Sequence, residues 1–330
     1  MSRPGGSEQV ARGSFRLAWP LTIREAWVQA SSFFLAAGGV EDAPHHAELL
    51  LRHVLGWERA AYLVRLPDPM PEAACRPYEA AIERRAGGEP TQYIIGEQHF
   101  YGLPFAVSPD VLIPRPETEL LVEAIMAEAD RLWPSGTALR AADIGTGSGA
   151  IACTLAHLRP SWLVTATDIS PAALRMAQSN AEQIGVAARL SWREGDLLAP
   201  LAGSGLDVLV SNPPYIPAAE IGGLMREVRD YEPRTALDGG ADGLDPYRRI
   251  VAMLPLLNCP PRLIGFEVGQ GQARDVAALL EAAGYGEHLV IVPDLAGIER
   301  HVIGVRPSRP DDGEAAGRRG AEEGTAESGR

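Results

Sequence analysis

The stretch LRAADIGTGSGAIACTLAHL, residues 139–158, has the pattern of a short apolar strand at its start and of a helix at its end. Between the two, the chain turns through Gly145-Thr146-Gly147-Ser148-Gly149. Glycines let the backbone turn sharply and let a ligand lie against the main chain, where the next helix exposes unpaired N–H groups. About 20 residues later Asp168 ends the next predicted strand. A carboxylate at this position can accept hydrogen bonds from both hydroxyls of a ribose. The pattern predicts a site for a nucleotide-containing cofactor.

This turn does not by itself identify the cofactor. Gly145, Gly147 and Ala150 also fit the permissive form of the dinucleotide fingerprint, so both NAD and S-adenosylmethionine are compatible with it. An ordinary tight turn between a strand and a helix is the remaining interpretation. Asp196 follows the third predicted strand, where it could bind an adenine amine or simply be a solvated turn residue.

Strands and helices alternate outward from this turn. The strand candidates are residues 139–144, 163–168, 188–192, 206–211, 263–268, 289–292 and 301–305. Seven short apolar runs, several of them separated by helical patterns, indicate an α/β fold with a mainly parallel sheet covered on both faces. The last two runs are too close for a crossover helix, so we expect the final strand to be antiparallel.

The remaining segments predict a two-domain chain. Before the sheet region, helical periodicity begins at Thr22, a candidate N-cap, and ends near a pair of glycines, Gly87 and Gly88. The predicted parts are a flexible extension (1–20), a helical domain (21–88), a β-hairpin connector (89–112), a domain of alternating strands and helices (113–306) and a disordered tail (307–330).

Composition restricts the class of partner. The net charge is −13 and the sequence contains no lysine, which disfavours duplex nucleic acid as the main partner because such proteins usually carry a basic face. The cysteines, Cys75, Cys153 and Cys259, have no metal-ligand spacing, so we expect no zinc site. No run of about 18 apolar residues and no signal-peptide pattern is present, so we expect neither a membrane span nor export, and a cytoplasmic location.

A second loop, Ser211-Asn212-Pro213-Pro214-Tyr215, directly follows the fourth predicted strand. In an open α/β sheet, ligands bind beyond the carboxyl ends of the strands near the switch in strand order, so this loop should lie beside the glycine turn. Its prolines have a fixed φ and no N–H, which makes the loop stiff and leaves its carbonyls without a competing donor. A proline-rich turn that merely ends a strand is the alternative.

The residue types of this loop suit methylation of an amide. An amide nitrogen is a poor nucleophile because its lone pair is delocalised, and two acceptors on its N–H groups would orient it and favour a pyramidal form. The candidate acceptors are the Asn212 side-chain oxygen and the Pro213 carbonyl, and Tyr215 offers an aromatic face to a planar group. Positioning at about 3 Å from a sulfonium methyl should supply most of the acceleration without a strong base.

Over a longer span the sequence resembles the glutamine-N5 methyltransferases that modify peptide chain release factors. The matching segments are residues 100–102, 111–119 (VLIPRPETE), 143–149, 211–217, 232–233 and 236–244. The loop NPPY alone is shared with adenine-N6 methyltransferases, whereas VLIPRPETE is far more specific. The resemblance implies a class I S-adenosylmethionine-dependent methyltransferase domain of Rossmann-like fold behind a small helical domain.

The resemblance also implies roles for individual residues. The cofactor S-adenosylmethionine, without a metal, would contact Gly145, Thr146, Gly147, Ser148, Gly149, Asp168, Asp196, Leu197 and Asn212. Family members can carry an aromatic residue beside the adenine at the position of Leu197, which is aliphatic here. The acceptor, the glutamine of a Gly-Gly-Gln motif in a release factor, would be held by Asn212, Pro213, Pro214 and Tyr215. The helical, substrate-docking domain (21–88) and residues 216–247 would contact that protein, and residues 113–306 would form the catalytic domain.

Four other functions are weighed against this one. Methylation of a ribosomal-protein glutamine would use the same chemistry. Adenine-N6 methylation of nucleic acid would need an extruded base and a basic channel, which the acidic composition disfavours. A nicotinamide-dependent dehydrogenase would leave the NPPY loop unexplained. An inactive binding module is opposed by the intact Asn212 and glycine turn.

Overall fold

The computed structural model describes residues 14–38 and 40–308, which divide into two compact units. The helical unit comprises the described chain up to Gly96 together with Met225–Tyr231, and the sheet unit comprises Glu97–Leu224 and the described chain from Glu232 onward. The predicted extension up to residue 13, and the predicted tail from residue 309, lie outside the described residues.

The helices and strands have the following bounds. In chain order the helices are α1 (Ile23–Ala37), α2 (Ala43–Leu55), α3 (Arg59–Arg65), α4 (Glu72–Ala86), α5 (Thr91–Ile95), α6 (Pro116–Leu132), α7 (Ala150–Leu158), α8 (Pro171–Ile184), α9 (Arg226–Tyr231), α10 (Asp245–Met253) and α11 (Ala273–Ala282). The strands are β1 (Glu97–Phe100), β2 (Leu103–Ala106), β3 (Arg140–Ile144), β4 (Leu163–Asp168), β5 (Leu190–Glu194), β6 (Val208–Ser211), β7 (Leu263–Glu267), β8 (His288–Pro293) and β9 (Glu299–Val305).

The first helix of the helical unit begins at a capping box. The Thr22 hydroxyl accepts a hydrogen bond from the Glu25 N–H at 3.2 Å, and the Glu25 carboxylate accepts from the Thr22 N–H at 2.7 Å. These two bonds satisfy donors that a helix start would otherwise leave unpaired. The cap predicted at Thr22 is therefore confirmed, whereas the seven-residue α3 was not predicted because two turns give little periodicity.

The flexible extension predicted over residues 1–20 is wrong for its described end. Phe15 and Leu17 are buried in the core of the helical unit. Their backbone N–H groups donate to the carboxylates of Glu83 and Glu79 in α4, at 3.0 and 2.9 Å. An extended segment that buries alternate apolar side chains and satisfies its N–H groups in this way needs no secondary structure of its own to be held in place.

The predicted hairpin connector is only partly correct. Strands β1 and β2 pair as an antiparallel hairpin, but Thr91–Ile95, predicted as part of the hairpin region, forms α5. The helix follows Pro90 and ends at Gly96, whose φ of 83° is in the left-handed region that favours glycine. Ile94 is buried in the core of the helical unit, so tertiary packing overrides the β propensity of this apolar run.

The described residues of the sheet unit form a seven-stranded sheet of order β5-β4-β3-β6-β7-β9-β8. β9 pairs antiparallel with both β7 and β8, and the other strand pairs of this sheet are parallel. This arrangement confirms the predicted Rossmann-like α/β fold with an antiparallel final strand. Ala141 and Ala142 belong to different core clusters, so both faces of the sheet are covered. Strand β5, the third strand predicted for the sheet, begins at Leu190 and not at residue 188, because Ala187–Arg189 form a 3-10 turn.

The chain leaves the middle of this sheet in two directions. From β3 it runs outward to β4 and β5, and it then returns to place β6 on the other side of β3. In the parallel pairing of β3 with β6, Ile144 lies opposite Ser211. The Ser211 hydroxyl donates a hydrogen bond of 2.6 Å to the Ile144 carbonyl. The loops that follow these two residues therefore begin side by side, as the sequence predicted.

Candidate active site

A cavity of about 510 Å³ lies within the sheet unit beyond the carboxyl ends of its central strands. Its volume falls in the range of roughly 300–1,000 Å³ that is usual for small-molecule sites. Loops after β3, β4, β5 and β6 contribute to its lining. Of the predicted site residues, those that line it are Gly145, Thr146, Gly147, Ser148, Asp168, Asp196, Leu197, Asn212 and Pro214.

The glycine turn after β3 is held in shape by buried polar groups. The N–H groups of Gly145 and Thr146 both donate to the Thr167 carbonyl at 2.9 Å. The buried Asp143 carboxyl accepts from the Thr146 hydroxyl at 2.6 Å and from the Ala152 N–H at 3.1 Å. Burial raises the pKa of Asp143 to about 7. This carboxyl therefore joins the turn to the start of α7 without facing the cavity itself.

The turn and the end of β4 present the groups that a nucleoside needs. Gly147 has a φ of 56°, and a Cβ placed on it would meet no atom within 4 Å, so the space beside it is open. The Asp168 carboxylate accepts from the N–H groups of Gly147 and Ser170, at 2.9 and 2.8 Å. Burial raises the pKa of Asp168, and its remaining lone pairs can accept from ribose hydroxyls. These residues fit the sugar of the expected cofactor.

Gly149 lies outside the cavity lining and has a packing role. Its φ is 81°, and a Cβ there would come within 3.0 Å of the Cβ of Ala177 in α8. The glycine thus lets α7 begin close against α8. The predicted contact of Gly149 with a cofactor remains a prediction.

The loop after β5 carries a charged pair at the cavity. Asp196 and Arg249 both line the cavity, and their side chains form a hydrogen-bonded ion pair. The neighbouring Leu197 has a φ of 49°, in a region that a leucine rarely adopts. Its carbonyl accepts from the Thr167 hydroxyl at 3.2 Å. The strained backbone at Leu197 therefore occurs at the predicted adenine position.

Asn212 is oriented by side chains from two other elements. Its amide nitrogen donates to the Thr118 hydroxyl at 3.2 Å, and that hydroxyl donates to the Glu267 carboxylate at 2.6 Å. Thr118 is in α6 and Glu267 ends β7, the strand next to β6. The NH₂ group of Asn212 is thereby engaged by the protein, which leaves its side-chain oxygen to accept from a ligand.

Pro214 of the NPPY loop also lines the cavity, whereas Pro213 and Tyr215 are packed against the protein. Pro213 is buried and Tyr215 is half-buried, and neither lines the cavity. The Tyr215 carbonyl accepts from the Gln272 side chain at 2.9 Å, and a Cβ at Gly243 would lie 2.2 Å from that carbonyl. Burial raises the pKa of Tyr215 to about 12, so its phenol is neutral. The substrate-binding roles of Pro213 and Tyr215 remain predictions.

Two side chains at the site were not predicted from the sequence. They are Thr118, although it lies inside the VLIPRPETE segment, and Glu267, which ends a strand beside β6. Arg115 lines the cavity and also forms an ion pair of 2.5 Å with Glu232, whose side chain is 1% exposed. The position of Glu267 at a strand terminus was the signal that could have identified it.

Metal and membrane features are not found in the described part of the chain. Across residues 14–38 and 40–308, no group of three or more His, Cys, Asp or Glu side chains is placed to hold a metal ion. Over the same residues, no helix has the length and apolar character needed to cross a membrane.

Two family profiles match the chain. One, described as the PrmC N-terminal domain, matches residues 25–96, and the other, described as the methyltransferase small domain, matches residues 116–225. The first match falls in the helical unit and the second in the sheet region that carries both loops.

Curated proteins named release factor glutamine methyltransferase are similar over most of their length. The protein from Moorella thermoacetica is 47% identical over 87% of this chain and 99% of its own. That from Cereibacter sphaeroides is 44% identical over 83% of this chain and 95% of its own. That from Bacillus subtilis is 41% identical over 85% and 96%.

Among solved structures, the hMettl16 catalytic domain in complex with the MAT2A 3'UTR hairpin 6 has a similar fold. Its TM-score is 0.50 at 17% identity, over 69% of this chain and 82% of that chain. At this level of identity the similarity extends to the methyltransferase fold alone.

Proposed function

The chain belongs to the family of release factor glutamine methyltransferases, and we propose that it methylates the side-chain amide nitrogen (N5) of a release-factor glutamine. The methyl donor is S-adenosylmethionine. The observation that carries the proposal is the pairing of Ile144 with Ser211, because it starts the glycine turn and the NPPY loop at adjacent positions beside one cavity.

The cofactor half of the cavity is assigned to the loops after β3, β4 and β5. S-adenosylmethionine supplies an electrophilic methyl group on a sulfonium. The backbone at Gly145 and Gly147 would lie against its amino-acid portion, and the Asp168 carboxylate would accept from its ribose hydroxyls. Asp196 and Leu197 would adjoin the adenine, with Arg249 fixing the Asp196 carboxylate by their ion pair.

The acceptor half of the cavity is assigned to the NPPY loop. The Asn212 side-chain oxygen and the Pro213 carbonyl would each accept one N–H of the glutamine amide. Because both acceptors belong to a stiff loop joined to the end of β6, they would hold the nitrogen in line with the methyl group at near-attack distance. No general base is required before transfer, and the methylated nitrogen loses its extra proton afterwards.

The substrate is assigned to the glutamine of a Gly-Gly-Gln motif. Docking of the release factor is assigned to the helical unit and to residues 216–247, part of which, Met225–Tyr231, belongs to that unit. With a translation factor as substrate, the reaction would take place in the cytoplasm. The net charge of −13 supports a protein acceptor over a nucleic acid.

A labelling experiment tests the substrate class. The purified protein would be incubated with methyl-labelled S-adenosylmethionine and, separately, with release factors, ribosomal proteins and nucleic acid. We expect label on the release factors alone. Label on ribosomal protein or on nucleic acid, with none on release factors, would support S-adenosylmethionine as the methyl donor but refute the proposed substrate.

A further inference from the structure

A row of three side chains leads from the cavity into the interior of the sheet unit. Asn212 donates to Thr118, and Thr118 donates to Glu267, over 3.2 and 2.6 Å. Thr118 lines the cavity but is only 4% exposed, and Glu267 is 2% exposed and does not line it, so the row runs from the cavity wall into the interior. Buried hydrogen bonds of this kind have a direction, because each hydroxyl proton can be donated only once.

The groups around Glu267 determine its protonation. Burial raises its pKa to about 7, although the Thr118 hydrogen bond, the positive charge of Arg300 and the Asn212 side chain oppose this effect. The negative charge of Glu117 acts in the same direction as burial.

Other ionisable neighbours of Glu267 stay neutral near pH 7. The His301 ring lies 4.0 Å from the carboxylate, and burial lowers the pKa of His301 to about 4. Burial raises the pKa of the Tyr215 phenol to about 12 and that of Tyr247 still further. The Tyr247 hydroxyl donates to the backbone carbonyl of Glu267 and not to its side chain. Among these groups, the Glu267 carboxyl is the one that changes charge near neutrality.

We propose that Glu267 and Thr118 are positioning residues that decide which atom of the Asn212 amide faces the acceptor glutamine, an inference that rests on the proposed function. An ionised carboxylate can only accept hydrogen bonds. Thr118 must then donate to Glu267, and its oxygen accepts from the NH₂ group of Asn212. The Asn212 oxygen is consequently turned toward the N–H groups of the acceptor.

Protonation of Glu267 permits the opposite arrangement. A neutral carboxyl can donate its proton to the Thr118 oxygen, and Thr118 can then donate to the Asn212 oxygen. The amide would turn its NH₂ group toward the acceptor, where two donors would face each other. The geometry therefore couples the reactive orientation of Asn212 to the charge of Glu267, and kcat should rise as Glu267 loses its proton.

Kinetics of paired variants test the role of Thr118. Thr118→Val keeps the shape but removes the hydroxyl, so we expect kcat to fall roughly 10- to 100-fold with the Kd for S-adenosylmethionine unchanged. Thr118→Ser should restore most of the activity. Thr154→Val is the matched control, because Thr154 is also buried and its hydroxyl has no hydrogen-bond partner among the described residues. This control should leave kcat unchanged.

A spectroscopic test does not depend on the acceptor. The chain contains three asparagines, Asn180, Asn212 and Asn258, so asparagine-selective ¹⁵N labelling yields three side-chain amide signals. We expect the Asn212 signal, assigned by its loss in Asn212→Asp, to shift with pH around the titration of Glu267. In Glu267→Gln this shift should disappear, together with the acidic limb of the kcat profile, while the Asn180 signal stays constant.

The two tests separate this inference from the proposed function. A pH-independent Asn212 signal in the wild type, or wild-type kcat in Thr118→Val, would overturn the inference even if release factors are methylated. If another acceptor is methylated, the proposed substrate is wrong. The same variants, assayed on that acceptor, and the NMR signal of Asn212 then still test whether Glu267 and Thr118 position the Asn212 amide. Retained S-adenosylmethionine binding in each variant shows that the site is folded.

Discussion

The orientation of Asn212 is a property of its neighbours rather than of the asparagine itself. The oxygen and the nitrogen of an amide are nearly equal in size, so packing alone does not distinguish them. The hydroxyl of Thr118 does, because it accepts from the nitrogen while donating to Glu267. Asp168 is likewise fixed by two backbone N–H groups, which aims its remaining lone pairs at the cavity. Specific hydrogen bonds to neighbouring groups thus orient both Asn212 and Asp168 toward the cavity.

Asp168→Asn should weaken S-adenosylmethionine binding. The substitution keeps the shape but replaces charge-assisted hydrogen bonds, each worth about 1.5–3 kcal/mol, with neutral ones. We expect the Kd measured by calorimetry to rise about tenfold or more. Asp130→Asn is the control, because Asp130 forms an exposed ion pair with Arg159 away from the cavity. Equal affinities of wild type and Asp168→Asn would exclude the assigned ribose contact.

At the level of elements, the site exists because two strand ends are neighbours. The glycine turn follows β3 and the NPPY loop follows β6, and the parallel register aligns Ile144 with Ser211. Residues 236–244 support the second loop, since the Ile216 N–H donates to the Leu237 carbonyl and the Gly239 N–H donates to the Ile216 carbonyl. Both loops thus rest on regular structure, which limits their freedom of movement.

Gly147→Ala should affect both stability and ligand binding, whereas a matched glycine should affect stability alone. Gly147 has a φ of 56° and lines the cavity, while Gly185 has a φ of 81° at the end of α8 and does not line it. An alanine in this region costs roughly 1–2 kcal/mol at either position. Calorimetry should show weaker S-adenosylmethionine binding for Gly147→Ala only. A similar loss of affinity in Gly185→Ala would mean that stability and not the cavity is responsible.

Thr22→Ala should destabilise the helical unit by about 1 kcal/mol, because the start of α1 loses the acceptor for the Glu25 N–H. Thr22→Ser keeps that acceptor and should be close to wild type. Chemical denaturation followed by circular dichroism measures the difference. No difference between the two variants would show that the capping box does not contribute to stability.

The sequence predicted the elements better than the contacts between them. Strand periodicity and the short β8–β9 connection were sufficient for the seven-stranded sheet, because local patterns carry that information. Phe15 and Leu17 were assigned to a flexible extension, since an extended segment that packs by itself has no periodic signal. The Thr118–Glu267 hydrogen bond joins residues 149 positions apart, and such a separation leaves no mark in a single sequence.

At the scale of the whole molecule, two kinds of buried ionisable group make the folding stability depend on pH in opposite ways. Burial raises the pKa of the carboxyls of Asp143 and Glu267 to about 7 and lowers the pKa of the imidazoles of His46 and His301 to about 4. The folded carboxyls bind protons more tightly than in the unfolded chain, and the folded imidazoles bind them less tightly. The two kinds of group therefore change stability in opposite directions at mildly acidic pH.

Asp143→Asn should separate one of these contributions. The stability from a raised carboxyl pKa is fully present below the unfolded value of 3.8 and is lost as the pH rises through about 7. The variant lacks this pH-dependent contribution to stability. Its free energy of unfolding relative to wild type should therefore increase between pH 4 and 8. Urea denaturation across that range measures the difference, and a difference that does not change with pH would contradict a buried, titrating Asp143.

The most direct test of the account is to locate the methyl group on its acceptor. A release factor would be incubated with the protein and S-adenosylmethionine, digested and analysed by tandem mass spectrometry, with Asn212→Ala as the matched enzyme. We predict one added methyl group on the side-chain nitrogen of the Gly-Gly-Gln glutamine, formed at least about 100-fold more slowly by Asn212→Ala. An unmodified glutamine, a methyl group on another residue, or equal rates for the two enzymes would contradict the account.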